Sequence, residues 1–195
     1  PETQLETVER DEFRTRIRAA FDLLERKVKA GWLRFYGTAT WNGYRLEITN
    51  RAHLSLAEMV AIAKEVAGDE HHFRVVQLPY NLAMAEAFTR HNQMLPDGTH
   101  GSLLAAADAN SVTVCASASL LQGRLSTGLP SVLSEAFGMQ SDAQRALQFV
   151  RSTPGINVAL AGMSSVPHVH TALGTARTPP ATFETLMKLF KPADH

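Results

Sequence analysis

The chain has 195 residues, long enough for one domain with a sizeable core. Lys plus Arg and Asp plus Glu balance at 19 each, which gives no sign of a nucleic-acid or acidic-membrane partner. One cysteine, Cys115, excludes an internal disulfide and suits a reducing compartment, so a cytoplasmic location is expected. No apolar run approaches the roughly 20 residues of a membrane span, and no charged-then-apolar leader is visible. The chain opens on Pro1 rather than Met, as a processed product or a piece of a longer protein would.

Residues 1–10 are polar and carry no pattern. From Asp11, the residues Phe13, Ile17, Phe21, Leu24 and Val28 recur at helical spacing and predict a helix. Arg14, Arg16, Arg18, Glu25, Arg26 and Lys27 read as its solvated face, and Gly31 as its C′ residue. Leu33–Thr38 is the first predicted strand. A loop with Trp41, Asn42 and Tyr44 follows. Ser55 with Glu58 reads as a capping box that opens a second helix, closing near Gly68.

His71 and His72 precede the second strand, Phe73–Leu78. Adjacent residues before a strand point to opposite faces, so a shared metal is not expected and both read as surface or loop residues. Gln77 stands among Val75, Val76 and Leu78, and a buried Gln must bond to something: the backbone or a ligand amide. Residues 79–101 form a long connection, which usually has a job. A short helix over 102–109 leads to the third strand, Ser111–Cys115. The loop after it carries small residues and then Gln122, Gly123 and Arg124; Ser119, Arg124 and Ser126 can serve an anion. Ser141 with Gln144 is a second capping box. The fourth strand reads as buried on both faces through Ile156, Val158, Ala159, Leu160 and Ala161. Gly162 ends it, Ser164 and Ser165 stand at a helix N-cap, and Pro167 falls in the first turn. Such an end presents free N–H groups and a positive dipole. It is a phosphate seat or an ordinary capped turn. Phe183, Leu186, Met187, Leu189 and Phe190 make a last amphipathic helix.

Strand then helix, four times over, with apolar strands, predicts a parallel α/β architecture. The polar candidates gather after strand C-terminal ends, where α/β barrels carry their sites, and the last two loops are where barrels often seat phosphate. No G-x-G-x-x-G follows the first strand, which argues against the open dinucleotide-binding sheet.

Four runs in order resemble the aldo-keto reductase family. WLRFYGTATW is similar to its fifth-strand motif, RVVQLPYNL to its sixth, VTVCASASLLQGRL to its seventh, and ALQFVRSTPGINVALAGMSSVPHV to its eighth-strand region. The resemblance implies a (β/α)8 TIM-barrel type of which residues 1–195, as a single domain, hold only the C-terminal four βα units. It implies NADP(H) as cofactor, with an aldehyde or ketone reduced to an alcohol. Gln77 would meet the nicotinamide carboxamide. Ser119, Leu120, Gln122, Gly123 and Leu125 match the pyrophosphate loop. Gly162, Met163, Ser164, Ser165 and His168 match the segment around the adenosine 2′-phosphate, with Trp41 on the substrate side.

The chain departs from the family at several positions. Ala39 and Thr40 replace the Ser-Asn pair that meets the nicotinamide amide, and Ser117 replaces the stacking aromatic. The family's catalytic Asp, Tyr, Lys and His come from earlier strands. Lys27, Lys29, Lys64, Lys188 and Lys191 all fall on predicted helices or their ends, so no catalytic residue is assigned here. The chain is expected to be the cofactor half of a reductase, inactive alone. The alternative is a non-catalytic NADP(H)-binding half barrel or sensor, similar to potassium-channel β subunits. The expected partner is a small carbonyl compound. Because an open parallel edge invites association, a homo-oligomer covering it is a further expectation.

Overall fold

The computed structural model describes residues 1–190, and the predicted helix-end lysine Lys191 lies outside them. The chain divides into two compact units, residues 1–78 with 86–114, and residues 79–85 with 115–195.

The first unit begins with a turn of 3-10 helix, Glu2–Glu6, and then α1 (Arg10–Lys29). The predicted stripe is what α1 buries: Phe13, Ile17 and Phe21 are sealed in the core. Its end follows the glycine rule. Gly31 sits at φ 76°, its N–H bonds to Val28, and that of Trp32 reaches back to Lys27, the paired bonds of a Schellman stop. The strand predicted from Leu33 starts later, as β1 (Tyr36–Ala39). Trp32 is 75% exposed, with the Lys27 ammonium 4.2 Å from its ring centroid, so this apolar run belongs to a connection rather than a strand.

β1 pairs in parallel with β2 (Phe73–Pro79). Gly37 is what makes the pairing close. A Cβ there would stand 1.8 Å from the Val75 carbonyl oxygen, beside a shift in register between Tyr36 and Gly37. Tyr36 and Phe73 close over Phe21, with ring centroids 5.1 and 5.3 Å from the Phe21 ring. α2 (Leu56–Ala67) packs against α1, and Arg14 and Arg18 of α1 pair with Glu58 and Glu65 of α2. Part of the expected solvated face is thus an inter-helix ion network. Of the capping box predicted at Ser55, one half forms: Ser55 accepts the Glu58 N–H, while the Glu58 carboxylate goes to Arg10 and Arg14.

The long connection after β2 is ordered by α3 (Glu86–Thr89) and a small antiparallel pair, β3 (Gln93–Met94) and β4 (His100–Gly101). α4 (Leu103–Ala109), capped by Ser102, then leads into β5 (Thr113–Ser117).

In the second unit α5 (Ser131–Phe137) precedes α6 (Asp142–Ser152), which carries the full reciprocal capping box predicted from Ser141 and Gln144. α6 packs on α7 (Val166–Ala176) and α8 (Phe183–Lys188), while Tyr80 and Phe149 stack at 5.6 Å. β5 pairs in parallel with β6 (Val158–Ala159). The expectation of a fourth strand buried on both faces is corrected here. β6 has two residues, and Val158 and Leu160 are 40% and 42% exposed. Burial alternates along β1 and β5 as well, so these strands are covered on one face and accessible on the other. Hydrophobic character marked them as strands, but it cannot tell a residue buried by this chain from an apolar residue left open.

Two further readings change. Glu25, read as solvated, is buried, and its carboxylate accepts the His72 N–H at 2.7 Å and its imidazole Nδ1 at 2.8 Å. His71, read as surface, is buried beside Arg74, with 3.0 Å between Nη1 and Nδ1. No helix among the described residues is long and apolar enough to cross a membrane.

Candidate functional site

The second unit opens a cleft of about 770 Å³ between the loop that follows β5 and the β6–α7 turn. That is within the usual range of roughly 300–1,000 Å³ for small-molecule sites. Eight of the twelve predicted cofactor residues line it: Ser119, Leu120, Gln122 and Gly123 from the first loop, and Gly162, Met163, Ser164 and His168 from the turn. Leu147 and Leu160 give it apolar walls, and Ser126 and Thr171 add hydroxyls.

The first loop takes its shape from an unusual run of backbone angles. Ala118, Leu121 and Gln122 have φ of 52°, 45° and 55°, and Gly123 has 86°. Non-glycine residues seldom sit there, and each does so at a cost of order 1–3 kcal/mol that the surroundings must offset. The offset is visible. Asn81, fully buried, donates Nδ2 to the Ala118 carbonyl at 2.9 Å, and the Tyr80 N–H reaches Ser117 O at 3.1 Å. The N–H groups of Leu121 and Gly123 close onto Ala118 and Leu120. Ser119 is buried, its hydroxyl donating to Ala116 O at 3.4 Å.

The other wall is the start of α7. Ser165 is the N-cap, as expected, and Pro167 lies in the first turn, but no side chain among the described residues caps the helix. The first-turn N–H groups of Val166 and His168 therefore stay available, and the helix dipole puts partial positive charge at the same place. Ser164 Oγ lies 3.2 Å from His168 Nδ1. Among the described residues no arginine or lysine lines the cleft. Arg124, read as a possible anion partner, is exposed and lies outside the lining.

Four predicted cofactor residues are not in this lining. Ser117 and Leu125 are half-buried on either side of the first loop, and Ser165 is the exposed helix cap. Gln77 belongs to the first unit, as does the substrate-side candidate Trp41. Gln77 is half-buried, its carbonyl accepts the Thr40 N–H at 2.8 Å, and its side-chain amide has no partner among the described residues. Beside it, Thr40 is buried with its hydroxyl likewise unpartnered. A buried hydroxyl without a bond calls for an explanation. Thr40, which the sequence marks as a departure, thus offers a polar group where Ala39 cannot. Trp41 is exposed, and its loop is fixed by a residue that carries no motif or spacing signal. Glu2 Oε1 accepts the N–H groups of Trp41 at 2.7 Å and Asn42 at 3.0 Å. Arg45, held by a two-pronged pair to Glu86 at 2.8 and 3.1 Å, also donates to Trp41 O.

No family model matches the sequence, and no curated protein matches it. Solved structures do. A thermostable aldo-keto reductase in complex with the inhibitor epalrestat superposes with a TM-score of 0.63 at 16% identity, over 89% of this chain and 53% of that one. An aldo-keto reductase from Klebsiella pneumoniae, in complex with NADP and acetate, gives 0.61 at 23% identity over the same share of this chain and 53% of its own. The holo form of an aldo-keto reductase from Bacillus halodurans gives 0.56 at 16% identity, over 90% of this chain and 56% of that one. The chain therefore has the α/β fold of the aldo-keto reductase barrels and spans about half the length of the structures it matches.

Proposed function

We propose that the chain is the cofactor-seating half of an NADP(H)-dependent oxidoreductase of the aldo-keto reductase type, residues 1–195 acting as one domain. The observation that supports this most is the cleft. Two loops about 40 residues apart in sequence, each singled out from the sequence, line one cavity of ligand size. Its features suit a phosphate-bearing ligand: an uncapped helix start, a serine and an imidazole, with apolar walls for a base or ribose face.

On this reading Ser119, Leu120, Gln122 and Gly123 hold the pyrophosphate side, and Gly162, Met163, Ser164 and His168 the adenosine 2′-phosphate side. When bound, the cofactor supplies hydride for reduction of an aldehyde or ketone, or accepts it in the reverse oxidation. The chain's own part is to bind and orient. Gln77 and Thr40 keep free polar groups suited to an amide, and Trp41 is proposed to shape the substrate side. Ser117 has no ring to stack.

Titration of NADPH and NADH into the chain tests the assignment. Ser164→Asp places a negative charge beside the proposed 2′-phosphate and is expected to weaken NADPH by about tenfold while leaving NADH nearly unchanged. Equal weakening of both contradicts it.

A further inference from the structure

Two strands are each bonded on one side only. Among the described residues β1 pairs with β2 alone, and β6 with β5 alone. The N–H groups of Tyr36 and Thr40 go to the β2 side, so those of Gly37 and Ala39, which alternate with them, face the free side. On β6 the Leu160 N–H goes to β5, so those of Ala159 and Ala161 face away from it. Sheets protect such edges with a charge or a proline, or cover them with another element. Neither strand carries the first kind of protection: β1 reads YGTA, and residues 157–161 read NVALA. Apolar side chains stand open beside both instead. Trp32, Leu33 and Phe35 lead into β1 and are 37–75% exposed, and Val158, Val166 and Leu173 on β6 and α7 are 40–69% exposed. None of these six lines the cleft, so its ligand does not account for them.

What covers these edges has a definable size. The matched structures are about twice as long as this chain. The cover therefore brings about as much chain again, with one parallel edge for β1 and another for β6. A second copy of this chain has both. We propose that the chain forms a two-fold dimer in which the free edge of β1 in one copy pairs, in parallel, with the free edge of β6 in the other. The contact joins unlike edges, so the two-fold axis repeats it and neither copy keeps an open edge. Trp32, Leu33 and Phe35 of one copy then leave water together with Val158, Val166 and Leu173 of the other, which supplies the driving force. The dimer does not depend on what the cleft binds.

Sedimentation equilibrium of the full chain over a micromolar dilution series tests the proposal. The wild type should sediment with the mass of two chains. Phe35→Lys places a charge on the β1 edge, and Val158→Glu places one on the β6 edge. Each contact uses one edge of each kind, so either substitution spoils both contacts and should weaken the dimer by more than about tenfold. Mixed together, the two variants should dimerise again. One contact then joins two unaltered edges, and the other sets Lys against Glu. Ile48→Lys and Val132→Lys, at positions 50% and 49% exposed and on neither edge, should leave the dimer intact. Far-ultraviolet dichroism checks that each variant is folded, as expected for exposed positions. A wild type that sediments as one chain at every concentration overturns the proposal and leaves the edges to a different cover. An open-ended series of larger species also overturns it. So does a dimer that only one of the two edge substitutions disturbs, or that the mixture fails to restore. All of these results leave the reading of the cleft standing.

Discussion

The two units differ in where their polar groups are spent and where they are left open. In the first, several charged and amide side chains turn inward and are spent on the chain itself, while the Thr40 hydroxyl and the Gln77 amide are without a partner among the described residues. Glu2 holds the N–H groups of Trp41 and Asn42, Glu25 holds His72, and Arg45 holds Glu86. Asn92 donates to the carbonyls of Tyr44 and Leu46 and Gln93 to that of Leu54, while the His53 ring lies against the Asn92 carbonyl and the Gln93 amide. In the second unit the loop after β5 is braced from behind by Asn81, while the start of α7 keeps its first-turn N–H groups uncapped. Polar groups spent on the chain brace a scaffold, while groups held in place but left open, at the start of α7 as at Thr40, are what a ligand can use.

The sharpest break to the first unit is Gly37→Ala. The added carbon meets the Val75 backbone at 1.8 Å, so the β1–β2 pairing must open, at a cost of about 3–5 kcal/mol read by thermal or urea unfolding. Next comes Glu25→Gln, which removes a buried charge-assisted pair and should cost about 2 kcal/mol.

That carboxylate also shapes the response to acid. Burial pushes Glu25 up, but the bonds from the His72 N–H and imidazole outweigh it and hold the group below its ordinary range. Glu2 and Glu86 are held low in the same way, against burial, by the N–H groups of Asn42 and Trp41 and by Arg45. Burial and neighbouring arginines push the His53 and His71 imidazoles down. Every one of these folded values is depressed, so each group's stabilisation is complete above its ordinary value and is lost as pH falls. The window opens near pH 6.5 with the histidines and continues below about 4.5 with the carboxylates. Both tryptophans, Trp32 and Trp41, lie in this unit, so tryptophan emission should report its acid unfolding, and Glu25→Gln should reduce the carboxylate part of the transition. The smallest effect belongs to the second unit. Ser141→Ala removes one half of the α6 capping box, about 1 kcal/mol, and should leave the acid response of tryptophan emission unaltered.

The order of elements was legible because period and glycine stops are local signals: the α1 stripe, the Schellman end at Gly31 and the box at Ser141 all lie within a few residues of what they determine. The two loops of the cleft were legible for the same reason, since each follows a strand end. What escaped was what depends on distant pairing. Glu25 meets His72 across 47 positions and Glu2 meets Trp41 across 39, and no spacing rule connects them. The extent of β6 escaped differently: an apolar run states a preference for burial, and only the fold decides how much of it is met.

The second unit's cleft is the proposed nucleotide seat. Hydrogen–deuterium exchange of the chain with and without NADP+ tests it most directly. Slowed exchange is expected, confined chiefly to residues 118–126 and 161–172. Protection elsewhere with these two segments unchanged, or no protection at saturating nucleotide, would contradict it.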